Sequence, residues 1–155
     1  MQKTGEGNTK VQWTLLIRMA HCSVMESPND GSLMERPLLS VVDDDQSVRE
    51  SLPDLLREFG FAARAFSSAN EFLSSGCVDD TSCLILDIAM PGMSGPELQR
   101  ELQLRGKEVP IIFITARRDE AIRAEVLRQG AAGFLLKPFS DGVLFAAIKT
   151  ALRAS

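Results

Sequence analysis

Four apolar runs in this chain each end in a residue able to do chemistry. Leu38–Val42 runs into Asp43, Asp44 and Asp45, Cys83–Leu86 into Asp87, Val109–Ile114 into Thr115, and Ala132–Leu136 into Lys137. Carboxylates at the ends of two buried strands repel each other and are poorly solvated, so they need a counter-charge. A hard, oxygen-seeking cation such as Mg²⁺ supplies one, taking one or two carboxylates and keeping several waters. Lys137 adds a second positive charge. Together these groups suit phosphoryl transfer onto a carboxylate, with Asp87 as nucleophile. The metal would bridge Asp87 and a phosphoryl oxygen, while the Thr115 hydroxyl and the Lys137 ammonium hold the other equatorial oxygens. Ala116 beside Thr115 is small enough to leave a path in.

The elements needed to bring these residues together are legible in the pattern. LLSVV (38–42) is a continuous apolar run ending in acids, the mark of a buried parallel strand. A helix follows, with Asp45 or Ser47 as N-cap, and Val48, Leu52, Leu55, Leu56 and Phe59 on one face. Gly60 ends it, and Pro53 inside it should kink the helix or cost stability. The predicted order continues with a weak strand at 61–66, a short helix at 67–75 capped by Ser67 or Ser68, and a strand at 83–87. Then come a helix at 95–106 with Pro96 in its first turn, a strand at 109–115 and a helix at 118–130. A strand at 132–137 and a helix at 141–154 complete the series. Five strands alternating with five helices imply an α/β fold: a doubly wound, five-stranded parallel sheet covered on both faces. Ligands of such sheets sit at the carboxyl ends of the strands, where the four chemical residues collect.

The chain changes character near residue 36. Residues 1–36 are rich in Gly, Asn, Ser and Pro with one apolar patch at 13–17, and such a segment buries too little to offset its ordering entropy. It is expected to be a flexible N-terminal extension, with residues 37–155 as the folded domain. Met34 would suit a natural start; a short docking helix at 11–20 is the alternative. The net charge of −4, the lack of a Lys/Arg cluster and the absence of Tyr argue against a nucleic-acid surface. No run approaches a membrane span, and the patch around residues 11–25 is broken by Arg18 and lacks a clear cleavage site. Cys22, Cys77 and Cys83 lack zinc-site spacing and read as free thiols of a reducing, cytoplasmic compartment.

VVDDD, LILDIAMPGMSG, IIFITA and FLLKPF resemble the response-regulator receiver domains of the CheY-like superfamily, across roughly residues 38–154. The intervals are orderly: 43 positions from Asp44 to Asp87, 28 from Asp87 to Thr115 and 50 from Asp87 to Lys137. The flavour is that of nitrogen-fixation receivers, which usually precede a LuxR-class helix-turn-helix; no DNA-binding domain is expected in this chain. The resemblance implies a (βα)5 flavodoxin-like receiver fold and a two-component switch that takes its phosphoryl group from a sensor histidine kinase or phosphotransferase. It implies Mg²⁺ held by Asp44 directly, by Asp43 mainly through water, by Asp87, and by the carbonyl of Ala89. Asp87 would be the phospho-acceptor, Thr115 the switch hydroxyl, Phe134 the switch aromatic, and Lys137 the conserved lysine before a cis Lys137–Pro138 bond. The donor would dock near Gln46, Pro138 and Phe139, and phosphorylation would alter the face of helix 4, strand 5 and helix 5, with a phosphorylation-dependent homodimer through it. Such a domain is no enzyme beyond its own phosphoryl transfer and dephosphorylation. Ala89 and Arg117 stand where the family varies to set the phosphate's lifetime.

Taken singly, these residues have plainer readings. The acidic triplet would serve as a helix cap and solvated turn, Asp87 as a buried hydrogen-bonded acid, Thr115 as a strand residue, Phe134 as core. Their joint order at strand ends favours the chemical reading, Asp45 excepted, which remains a cap. Two other functions are open. An aspartyl phosphohydrolase would want a second acid two positions after Asp87, where Ala89 stands. A phosphorylation-independent interaction module would have no use for the intact acid, hydroxyl and lysine set.

Overall fold

The computed structural model describes residues 36–154, in which each apolar run becomes a strand. The order is β1 (Leu38–Val42), α1 (Gln46–Glu58), β2 (Ala62–Phe66), α2 (Ala69–Ser74), β3 (Thr81–Asp87), α3 (Gly95–Leu104), β4 (Ile111–Thr115), α4 (Glu120–Arg128), β5 (Gly133–Leu136) and α5 (Asp141–Ala154). The extension expected over 1–36 lies outside the described residues except for Arg36, as do the alternative helix at 11–20 and Cys22.

All strand pairs are parallel, in the order β2-β1-β3-β4-β5. Alternate strand residues divide into two cores. On one face Leu39, Val41, Cys83, Ile85, Ile112 and Ile114 pack with Leu52 and Leu56 of α1 and Leu144 and Ile148 of α5. On the other, Val42, Leu84, Leu86 and Phe113 pack with Phe72 of α2, Leu98 and Leu102 of α3, and Val126 of α4. Strands buried on both faces explain why β1, β3 and β4 are apolar almost throughout.

Helix starts follow the polar side chains that satisfy their free N–H groups. Asp45 accepts from the Ser47 N–H, Ser68 from Glu71 N–H and Asp119 from Ile122 N–H. At α3, Ser94 and Glu97 form a reciprocal capping box. Asp45 is therefore the first cap, and Ser47 lies inside the helix. Pro53 is buried and α1 runs through it to Glu58. β3 begins at Thr81 rather than Cys83, because the Thr81 hydroxyl bonds to Ser40 Oγ at 2.7 Å and to the Cys77 carbonyl at 2.7 Å. Polar Thr81 and Ser82 concealed that first turn of pairing. Cys83 is a free thiol, pushed up to about 12 by burial. Cys77 is disulfide-bonded, which corrects the reading of three free thiols. Among the described residues no helix is long and apolar enough to cross a membrane.

Candidate functional site

The strand order reverses between β1 and β3, so a crevice opens at their carboxyl ends. Asp43 directly follows β1 and Asp87 closes β3, one on each side of that crevice. Thr115 closes β4 and Lys137 directly follows β5. Main-chain bonds carry the sheet pattern past the strand ends and fix these residues in register. Asp43 N–H donates to the Phe66 carbonyl at 3.1 Å, Ile88 N–H to Ile114 at 3.1 Å and Lys137 N–H to Thr115 at 2.7 Å. All four lie along one edge of the sheet.

The side chains converge there. One carboxylate oxygen each of Asp43, Asp44 and Asp87 lies within 4.8 Å of the others. Lys137 Nζ donates to Asp43 Oδ2 at 2.8 Å and sits 4.0 Å from Asp87 Oδ1. Asp43 is wholly buried and Asp87 nearly so, at 6% exposure, whereas Asp44 faces solvent. Asp43 Oδ1 accepts from the Asp45 N–H at 2.9 Å. Asp43 is thereby committed to the ammonium and the loop, while Asp87 lies beside it and Asp44 closes the cluster from the solvent side.

Three carboxylates facing one ammonium leave a deficit of positive charge. Asp87 registers it: burial first, then the Asp43 charge, push its carboxyl up to about 7 against the pull of Lys137, with Asp44 adding both charge and a hydrogen bond. The cluster offers oxygen donors alone, which suits a hard cation of the Mg²⁺ or Ca²⁺ kind and not zinc or copper. Such an ion fits this donor set, since its charge would relieve the repulsion that raises Asp87.

Thr115 is buried, and its Oγ1 accepts from the Arg117 N–H at 3.1 Å. Ala89, two positions past Asp87 in the loop, is exposed between the buried Ile88 and Met90. Phe134 is half-buried in β5 against the core shared with α2, α3 and α4. Gln46 and Pro138 are exposed and Phe139 half-buried. The Lys137–Pro138 bond is cis.

Two residues of the site drew no notice in the sequence. Gly95, the first residue of α3, packs so closely that a Cβ there would stand 2.4 Å from the Asp87 carbonyl oxygen. Its N–H donates to the Ile88 carbonyl at 2.9 Å, tying α3 to the segment after β3. Arg49, in α1, donates through Nη1 to the Asp43 carbonyl at 3.0 Å. A glycine after a turn and an arginine on a helix are common, so neither carries a signal without the tertiary contact.

Comparison with known proteins points the same way. The family model of the response regulator receiver domain matches residues 39–149. The transcriptional regulatory protein FixJ of Azorhizobium caulinodans is 43% identical over 115 residues, covering 74% of this chain and 54% of that protein. The chain thus spans about half the length of the curated relatives it matches. Among solved structures, the response regulator StyR aligns with a TM-score of 0.72 at 44% identity, over 77% of this chain and 60% of that one. The FixJ-N crystal structure aligns with a TM-score of 0.71 at 36% identity, over 79% of this chain and 98% of that one.

Proposed function

Because the chain belongs to the response regulator receiver family, we propose that Asp87 is its phosphoryl acceptor and that Asp44, Asp87 and the Ala89 carbonyl hold Mg²⁺, with Asp43 assisting through water. The domain is a receiver of the two-component kind, a phosphorylation-controlled signalling module. The observation that carries the site assignment is the meeting of three carboxylates within 4.8 Å beside Lys137.

In this reading Asp87 attacks phosphorus with a carboxylate oxygen. A P–O bond forms to Asp87 as the donor's bond to phosphorus breaks, and the donor leaves with that bond's electron pair. Bound Mg²⁺ would supply charge neutralisation between Asp87 and the incoming phosphoryl oxygens. Lys137, already 4.0 Å from Asp87, offers an ammonium to an equatorial oxygen, and Thr115 offers its hydroxyl to another. Asp43 keeps Lys137 aimed at the crevice. The same residues return the domain to its resting state when water attacks the phosphorylated Asp87, so the only catalysis is on its own phosphate.

The donor is a sensor histidine kinase or phosphotransferase, docking beside Gln46, Pro138 and Phe139. Thr115 and Phe134 carry the change of state to α4, β5 and α5, through which the phosphorylated domain pairs with a second copy. Leu127 of α4 and Val143 of α5, 36% and 50% exposed, support an apolar contact there. We take residues 37–155 as the receiver unit behind an extension at 1–36, which the family match over 39–149 supports. The names of relatives such as the transcriptional regulatory protein FixJ support transcriptional control as the output, and the family supports a cytoplasmic setting.

The test is labelling by acetyl phosphate. Wild-type protein gains one phosphate in Mg²⁺ and none in EDTA, and Asp87→Asn gains none in either. Persistent Mg²⁺-dependent labelling of Asp87→Asn overturns the assignment. Sizing the protein with and without the donor tests the homodimer.

A further inference from the structure

Asp43 is held at every polar atom it has. Its N–H donates to the Phe66 carbonyl at 3.1 Å, its Oδ1 accepts from the Asp45 N–H at 2.9 Å, and its Oδ2 accepts from Lys137 at 2.8 Å. The remaining atom, the main-chain carbonyl oxygen, accepts from Arg49 Nη1 at 3.0 Å. That oxygen belongs to the peptide unit joining Asp43 to Asp44, and the unit is planar. Holding the oxygen therefore restrains the plane, and with it the position of the Asp44 Cα from which the side chain departs. Asp44 needs such help, because it is exposed and follows the strand's last pairing.

We infer that Arg49 is a positioning residue for the cation site, clamping the Asp43–Asp44 peptide so that the Asp44 carboxylate faces the space it shares with Asp87. This rests on the reading that the acid cluster holds Mg²⁺. Arg49 suits the task better than lysine, since a planar guanidinium gives directed donors where an ammonium is a point charge on a flexible stem. It is half-buried and anchored on α1, whose Leu52 and Leu56 are fixed in the core. Its charge also reaches Glu71 of α2. That carboxyl is held below the usual range chiefly by the Ser67 N–H and hydroxyl, with a smaller share from Arg49. Arg49 thus stands between the loop after β1 and the start of α2, and the Asp43–Asp44 unit is braced from α1 as well as from the sheet.

The experiment compares wild type, Arg49→Met and Arg49→Lys by three measurements: the Mg²⁺ Kd from amide NMR titration, hydrogen exchange at the Asp45 amide without metal, and thermal unfolding. Loss of a group that orients a metal ligand costs about tenfold or more in affinity. Arg49→Met is expected to weaken Mg²⁺ by about that factor and to speed exchange at Asp45, with Arg49→Lys in between. A lower melting temperature with unchanged Kd would mean a structural role only and overturns the inference. Should Arg49→Met not fold, Arg49→Lys decides by the same criteria. Wild-type protein that binds no Mg²⁺ overturns the functional reading instead. Exchange at Asp45 in the variants then judges the clamp: faster exchange supports it, and unchanged exchange overturns it.

Discussion

Lys137 and Asp43, 94 positions apart, meet in an ion pair of 2.8 Å whose carboxylate is wholly buried. The pair joins the segment after β5 to the segment after β1, two strands separated in the sheet by β3 and β4. Asp87, at the end of β3, lies under that bridge, 4.0 Å from the same ammonium. The lysine serves two carboxylates at once, and both depend on it.

Removal of that ammonium should leave a buried charge without its partner. Breaking a buried pair from one side costs about 3 to 5 kcal/mol. Lys137 keeps some solvent contact, so Lys137→Met is expected at the lower end, roughly 3 kcal/mol, by urea unfolding in EDTA. Asp43→Asn in the Lys137→Met background should recover part of the loss, and Mg²⁺ should recover part in the single variant. A variant as stable as wild type would show that the pair contributes nothing.

The Asp87 carboxyl sets a pH dependence. Its folded pKa of about 7 lies above the ordinary 3.8, so the folded state binds the proton more tightly than the unfolded one. The stability this adds is fully present at low pH and is lost as pH rises toward 7. In EDTA, wild type relative to Asp87→Asn should therefore lose stability between about pH 4 and pH 7 and level off above. Asp45, Glu71 and Glu125 have lowered values and act in the opposite sense, losing their contribution as pH falls, but they are common to both proteins and cancel. Mg²⁺ should move the transition to lower pH. A difference that does not vary with pH in EDTA would contradict the crowding of charge around Asp87.

Gly95 should tolerate no side chain. A Cβ at 2.4 Å from the Asp87 carbonyl and 3.1 Å from Ile88 Cα meets backbone, which cannot step aside as a flexible side chain would. Gly95→Ala is expected to destabilise by about 1 to 3 kcal/mol and to loosen α3 from β3. Thermal unfolding, with hydrogen exchange of the Gly95-to-Ile88 main-chain bond, measures it. A variant of native stability and exchange would mean that the close approach is not maintained in solution.

The chain's own residue order determined which segments are strands and helices, because burial on both faces demands near-continuous apolar runs and each helix start demands a capping side chain. DGVLFAAIKTALRA, with its apolar repeat and its acid at the start, yields α5 over the span read from it, Asp141–Ala154. The chemical residues were legible for the same reason: Asp43, Asp87, Thr115 and Lys137 each stand where an apolar run stops, and strands of one parallel sheet stop along one edge. Strand edges were less legible. Thr81 joins β3 through hydroxyl bonds to Ser40 and Cys77, partners 41 and four positions away that no local pattern announces. Tertiary structure alone decided the division between the two neighbouring acids. Asp43, just past the strand, turns inward to Lys137, while Asp44, at the bend that follows, reaches the same cluster from the solvent side; which acid is buried depends on the lysine arriving from the far end of the chain. Arg49 and Gly95 belong to the same class. Their importance is a matter of a carbonyl 3.0 Å from one and the space denied beside the other, and distances across a fold are set by packing, not by order along the chain.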